Sequence, residues 1–446
     1  MAVKKFIGFF WIVSIAFMPF EIHAANFLFL PELIVSEEYS DNIFLTPDNE
    51  EDDFINSSGV SLTGQILGRT AGFELNYNPS YNSFAEFSDL DYWRHAGRVR
   101  AWNDFKRNTR LSFINDYLET EDPRDAILID PEPLEQPLIG IDLNRQGRTR
   151  YRRNTAEVRL NHQFGANNNA YAAVRHTLLE DIDTFEGVPV DDYTFLEPMV
   201  GTAYWFTPKW GFEFDGVYSN RDYEDRNDRQ EYAGTARILN SISRTLSGFI
   251  EYRHTYLDYD NNESDSDYNV YVPAVGFRYQ FQENAHILLS GGYYIQQFDN
   301  EDLVEDETEE GFVLNSEIFK RWASRQAYID LTGRSGYGIQ DRGVEDLGFN
   351  IYYEGRFGVG YNFTQRFTAA LFAAYRYDEY PDEEPERTDN TATAGASFDY
   401  QVLRWMNVGV VYNYRDHRSD FESDEYTENS IMLLLNVAPT RPYSLN

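Results

Sequence analysis

Acidic and basic residues recur two or four positions apart inside aromatic and aliphatic stretches of this chain: Glu157 with Arg159, Glu251 with Arg253, Asp330 with Arg334, and Glu354 with Arg356. Glu213, Asp215, Arg237, Arg376 and Asp378 sit in similar surroundings. An even spacing places both members on one face of an extended strand, because successive side chains point to opposite faces. Opposite charges on such a face can pair across neighbouring strands, and any solute moving along the face would feel their field. Catalytic chemistry has far less to build on. There is no cysteine, the histidines beyond residue 25 are the scattered His95, His162, His176, His254, His286 and His417, and no HExxH, GxSxG or P-loop occurs. The neighbours Asp416 and His417 are the arrangement that chance supplies in so acidic a chain. No catalytic residue is assigned.

Metal chemistry fares little better. Asp258-Tyr259-Asp260-Asn261-Asn262 begins with calcium-loop spacing, but Glu263 stands where the loop needs glycine and Asn269 where it needs glutamate. The acidic run of Asp299, Glu301, Asp302, Glu305, Asp306, Glu309 and Glu310 reads as a solvated, self-repelling loop with at most loose attraction for divalent ions. Neither a metal site nor a cofactor is expected.

The elements that must position the charged pairs are strands. Ile351, Tyr353, Gly355, Phe357, Val359, Tyr361 and Phe363 alternate with Tyr352, Glu354, Arg356, Gly358, Gly360 and Asn362, and the same period of two runs through Phe367–Arg376 and Asn407–Arg415. One face of each is apolar and the other polar, and no segment has a helical period. The links between these strands are of two kinds in strict alternation. Short, neutral or basic turns such as Gly68-Arg69-Thr70, Thr207-Pro208-Lys209 and Thr364-Gln365-Arg366 alternate with longer acidic links such as Asp48–Asp53, Asp222–Asp228, Gln340–Leu347 and Asp420–Glu425. Short turns at one end and long loops at the other describe an outer-membrane β-barrel, whereas a soluble sandwich mixes link lengths at both ends. The count predicts an all-β transmembrane barrel of about 20 antiparallel strands (18–22), with short periplasmic turns, long extracellular loops and both ends on the short-turn side. In lipid the charged face must then turn inward, since an Arg or Lys facing the bilayer midplane costs about 2–4 kcal/mol. Glu157, Arg159, Arg237, Glu251, Arg253, Asp330, Arg334, Glu354, Arg356 and Arg376 are therefore expected to line the lumen.

Composition agrees. In 446 residues, 74 Asp and Glu face 38 Lys and Arg for a formal charge of −36, which repels phosphate backbones and excludes nucleic acid as a partner. Aromatic residues at 16% are too many for a disordered acidic chain. Lys4 and Lys5, the apolar Phe6–Phe20 and the small residues at Ala24 and Ala25 form the pattern of a secretory signal peptide, expected over 1–24 and followed by one barrel domain over 25–446. Trp205, Trp210, Trp322 and Trp405, with Phe164, Phe281, Phe363 and Phe367, lie beside short turns and suggest an aromatic girdle at the periplasmic interface. The longest link, Glu119–Gly147, carries an apolar, proline-bearing centre whose Ile127, Leu128, Ile129 and Leu134 are candidates for a constriction folded into the pore.

Two terminal segments carry a family likeness. Leu33–Phe44, with its Y-x-D-N-I-F element, resembles the opening strand of a family of Gram-negative β-barrel porins, and Asn429–Val437 followed by Ala438-Pro439-Thr440-Arg441-Pro442-Tyr443 is similar to that family's last strand. One departure from barrels in general is the final Asn446, where Phe or Trp is usual. Members of the family are often found among exopolysaccharide-export or exosortase-associated genes. The resemblance thus implies an outer-membrane conduit for a secreted glycan, working with periplasmic polysaccharide-export proteins among outer-membrane lipid and lipopolysaccharide. The residues alone also allow a cation-preferring diffusion porin, or a structural barrel whose loops bind divalent ions or lipopolysaccharide.

Overall fold

The structure is a computed structural model and describes residues 26–127, 148–183, 192–224, 227–260, 267–298, 308–322, 327–342, 345–381 and 386–445. The expected signal peptide lies outside the described residues. The strands are β1 (Asn26–Ser40), β2 (Asp53–Leu67), β3 (Ala71–Phe84), β4 (Tyr92–Phe105), β5 (Thr109–Thr120), β6 (Tyr151–Gln163) and β7 (Asn169–Asp181). They continue as β8 (Tyr193–Trp205), β9 (Trp210–Tyr223), β10 (Arg229–Ser241), β11 (Leu246–Tyr259), β12 (Tyr268–Gln282), β13 (Ala285–Phe298) and β14 (Glu310–Arg321). The last are β15 (Ala327–Arg342), β16 (Glu345–Asn362), β17 (Phe367–Tyr380), β18 (Arg387–Leu403), β19 (Met406–Ser419), β20 (Tyr426–Val437) and the short β21 (Tyr443–Leu445).

Every strand from β1 to β20 pairs antiparallel with the next, and β20 returns to β1 through Leu33↔Val437 to Ser40↔Ser430. β21 extends that seam by pairing Tyr443–Leu445 with Phe27–Phe29. Twenty strands thus close on themselves, as the alternation of links predicts, and no edge is left to the bilayer, where an unpaired backbone group costs several kcal/mol. Among the described residues no helix is long and apolar enough to cross a membrane. One expected loop is shorter than its sequence suggests. Of Gln340–Leu347, taken as a long acidic link, Asp341↔Asp346 and Arg342↔Glu345 remain paired, so β15 and β16 run on as a hairpin. A register shift between Ile339 and Asp341, with Gly348 at φ +66°, lets the two strands keep pairing to the tip.

The two faces separate cleanly. Leu160, Val200, Phe212, Tyr232, Ile250, Val275, Leu331, Phe357, Leu371 and Ile431 are exposed on the outer face. In a soluble domain such a belt would be a liability, and in lipid it is the solvent-matched surface. On the opposite face, aromatic rings lie on glycines of the adjacent strand. A Cβ at Gly72 would stand 2.1 Å from the Trp102 ring, one at Gly201 2.3 Å from Tyr171, and one at Gly360 2.2 Å from Tyr328. Phe249 covers Gly276 and Phe372 covers Gly395 in the same way. Glycine is required here because any side chain would lift the ring from the wall.

Candidate functional site

The ten residues expected on the inner wall all alternate with the exposed apolar belt, and the register decides which of them meet. Arg237 donates from Nη1 to Glu213 (2.8 Å) on one side and from Nε to Glu251 (2.9 Å) on the other, so β9, β10 and β11 are tied by one guanidinium. Glu157 is held by Arg175 (2.9 Å) of the next strand and not by Arg159, and Arg175 also approaches Glu197 at 3.6 Å. Arg159 instead stacks on the Tyr171 ring at 3.8 Å and donates to Asn161 at 3.2 Å. Among the residues singled out from the sequence, two pairs form along one strand: Arg356 with Glu354, and Arg376 with Asp378 at 2.8 Å. Asp330 accepts from Thr332 Oγ1 at 3.3 Å, and Arg253 interacts with the Tyr337 hydroxyl. Arg334 has no ion pair among the described residues; Glu354, opposite it in register, is taken by Arg356 and approached by Arg376 at 3.9 Å. Charge on the wall is therefore mostly cross-strand, which residue spacing alone cannot assign.

Sequence reasoning passed over the wall's aromatic lining. Trp102, Tyr171, Trp205, Phe249, Tyr328 and Phe372 all lie within five residues of a short-turn end, on β4, β7, β8, β11, β15 and β17. Their rings share the inner face with the charged ladders. Trp205 corrects the girdle expectation. It shares the face of Gly201 and Glu197, and its ring stands 2.9 Å from a Cβ placed on Gly211, its register partner. Trp210, Trp322 and Trp405, with Phe164 and Phe363, are exposed beside the short turns as expected. The signal for the inner rings was available in the alternation: each falls in step with the charges, not with the apolar belt.

The long-loop end of the interior is filled from two directions. The first is the link after β5, which starts with a 3₁₀ turn at Pro123–Ile127. Arg124 donates from Nη1 to Glu38 of β1 (2.6 Å) and to Glu428 of β20 (2.8 Å), and from Nη2 to Asp122 (2.6 Å). Glu428 is 1% exposed and also accepts from Ser40 at 2.9 Å and Arg415 at 3.1 Å. Burial by itself would raise the Asp122 carboxyl, but Arg124 and Arg148 hold it well below the usual carboxylate range. This turn thus crosses to the closing seam of the barrel from β5, several strands away. Of the constriction candidates, Ile127 ends the turn, while Leu128, Ile129 and Leu134 lie outside the described residues.

The second is the β15–β16 hairpin. By alternation Tyr337, Phe349 and Ile351 belong to the outer face with Leu331 and Tyr353. Yet Tyr337 is 3.1 Å from the Thr255 hydroxyl, and Phe349 packs on Tyr268 and Tyr294, all inward-facing groups of β11, β12 and β13. The cause lies in the ladder. β14 and β15 pair only from Arg321↔Tyr328 to Leu314↔Ser335. Beyond that point β15 leaves the wall, β16 follows once its own ladder with β17 ends at Ile351↔Glu379, and the hairpin lays its former outer face on the inner face of β11–β13. Leu257, Val270 and Val272 complete a dry cluster beneath it. Where the ladder ends, the Ser335 hydroxyl accepts from the Leu314 N–H (3.1 Å) and donates to the Phe312 carbonyl (3.2 Å), satisfying groups that lipid would leave bare.

A closed barrel with a lipid-matched exterior, an ionic and aromatic inner wall and an interior narrowed at the loop end is an outer-membrane porin. The sequence matches the family described as "Putative beta-barrel porin 2" over residues 212–438, half of the chain, and the chain belongs to that family. No curated protein matches by sequence search. Among solved structures, the chain is similar to a BenF-like porin from Pseudomonas fluorescens Pf-5, with 12% identity, coverage of 92% of this chain and 99% of that one, and a TM-score of 0.44. It is also similar to OccK3 (OpdO) of Pseudomonas aeruginosa, at 13% identity, 92% and 96% coverage and a TM-score of 0.44. A third is the ferric-catecholate import receptor Fiu of E. coli K12, at 10% identity, 92% and 81% coverage and a TM-score of 0.49.

Proposed function

We propose that this outer-membrane channel conducts a polysaccharide outward, receiving it from periplasmic export proteins. The observation that carries the reading is the aromatic lining near the short-turn end, spread around the barrel on β4, β7, β8, β11, β15 and β17. A sugar ring has an apolar C–H face and a polar hydroxyl edge. Flat rings offer the first a surface, and the neighbouring Arg–Glu ladders offer the second hydrogen bonds without a fixed net charge. Many weak, repeated contacts suit a polymer that must slide and not stay bound. The likeness to export-associated porins at both ends of the chain supports the same reading. Deleting the protein is expected to trap glycan inside the cell while uptake of small solutes is unchanged; normal surface polysaccharide in the deletion strain overturns it.

A second reading rests on charge. The formal charge of −36 is concentrated in the long-loop links and would enrich cations at the mouth. A cation-preferring diffusion porin should then show open, cation-selective conductance in planar bilayers with no response to added oligosaccharide, whereas a polysaccharide conduit should show current blocks by oligosaccharide that weaken in Trp205→Ala.

A further inference from the structure

We infer that the short-turn end of the lumen holds a binding site for the carboxylate of an acidic sugar, formed by the β2–β3 and β4–β5 turns and the inner face of β5–β7. The inference rests on the conduit reading and names the chemistry of its permeant. An open cavity of about 1030 Å³ lies there, lined by Arg69, Lys106, Arg107, Arg110 and Arg159, with Asp104 the one carboxylate among them. Five cations against one carboxylate reverse the balance of the chain, where 38 Lys and Arg face 74 Asp and Glu. The excess is also local. The short turns at Thr207–Lys209, Ser243–Thr245 and Thr364–Arg366 carry one cation each, whereas two adjacent turns bring Arg69, Lys106 and Arg107 to this groove. The Asp104 N–H donates to the Thr70 carbonyl at 2.7 Å and holds these two turns together. Lys106 stands in the left-handed backbone region, at φ +63°, so a position that favours glycine carries a cation instead.

The register orders these groups from rim to lumen. Asp104, Arg110, Asn161 and Tyr171 are successive partners across β4, β5, β6 and β7, so they form one row of the inner face. In that row Arg110 is engaged by Asp104, donating from Nε at 2.7 Å and from Nη2 at 2.9 Å. Arg159 stands one inner-face step deeper, two residues or ~6.8 Å along β6. It has no carboxylate partner among the described residues: its Nε donates to Asn161 at 3.2 Å, and its guanidinium lies over the Tyr171 ring at 3.8 Å. That ring is itself fixed, its hydroxyl donating to Asp215 at 2.8 Å. A ring and an amide thus orient the guanidinium without pairing its charge, the state in which arginine reads a carboxylate through parallel N–H donors. Gln163 and Asn169 line the same cavity and offer amide donors and acceptors to sugar hydroxyls. At the rim Arg69, Lys106 and Arg107 are exposed, without ion pairs among the described residues, and their field draws an anion toward Arg159. The acidic links at the far end give such a group no second holding site, so a polymer captured here is not retained at the exit.

The test uses the full-length protein in phosphatidylcholine nanodiscs, with tetragalacturonate and its neutral methyl ester as probes and calorimetry as the readout. The acid is expected to bind about tenfold more tightly than the ester, and Arg159→Gln to remove that advantage, the value of one charge-assisted contact, while leaving the ester unchanged. Arg69→Gln combined with Arg107→Gln, both exposed, should flatten the salt dependence of acid binding. Arg244→Gln removes the same charge from the β10–β11 turn and should leave the affinity for both probes unaltered. Equal binding of acid and ester overturns the inference, as does an equal effect of Arg244→Gln and Arg159→Gln. The conduit reading fails separately: normal surface polysaccharide in the deletion strain removes it and leaves the binding to purified protein standing. Uronic acid in the glycan trapped by deletion supports the inference, whereas a trapped neutral glycan upholds the conduit and overturns its acidic permeant.

Discussion

Arg124 is the residue on which the loop end of the barrel depends most directly. It meets three carboxylates, Asp122, Glu38 and Glu428, and the last is fully buried. Removing one partner of a buried ion pair leaves the other charge uncompensated, at a cost of about 3–5 kcal/mol. Arg124→Ala should therefore release the Pro123–Ile127 turn and weaken the β1–β20 seam, seen as faster proteolysis of the link and a lower urea midpoint; an unchanged midpoint would show that the seam is held by its backbone ladder alone. The pH dependence follows from Asp122. Its folded pKa is depressed, so its contribution is present above the unfolded value of about 4 and is lost only as pH falls through the lower folded value. The turn should accordingly resist protease equally at pH 7 and pH 5. Nothing in the sequence marked Arg124, because its partners lie on strands at opposite ends of the chain, and only closure of the barrel brings Glu38 and Glu428 to one place.

Among the elements, the strands are held in register by more than their backbones. A ring lying flat on a glycine joins two strands at a single height, and a one-residue slip would drive the ring into a side chain. Gly395 is confined by backbone as well as by a ring: an added Cβ would stand 2.2 Å from the Phe372 ring and 2.5 Å from the Tyr412 carbonyl oxygen. Gly395→Ala should cost about 1–3 kcal/mol by overpacking and slow assembly, while Gly64→Ala, with nothing within 4 Å, should leave both stability and the heat-shifted gel mobility of the folded barrel unchanged. Equal behaviour of the two variants would remove the registering role. The face of each such residue was readable from the period of two, including that of Trp205, which proximity to a turn assigned to the girdle. Which glycine a given ring covers was not, because that depends on the pairing of two strands and not on either sequence.

At the scale of the whole molecule, the interior is narrowed by its own wall. The β15–β16 hairpin turns inward and packs Tyr337 and Phe349 on β11–β13. Replacing both by serine removes ring contacts worth on the order of 3 kcal/mol each and should free the hairpin, raising single-channel conductance; an unaltered conductance would mean that the hairpin does not narrow the pore. The sequence by itself determined that this chain is a closed, membrane-spanning barrel of about twenty strands, which face of its wall strands is apolar, and at which end the long links lie. A period of two and alternating link lengths record those properties locally, residue by residue. Only the tertiary structure decided what each inner side chain touches, that Arg124 bolts the seam, and that the hairpin bends into the interior. Tyr337, Phe349 and Ile351 keep the alternation of an outer face throughout, so their sequence is that of a wall strand. What redirects them is the end of the β14–β15 ladder at Ser335, a fact about two strands together that neither one encodes alone.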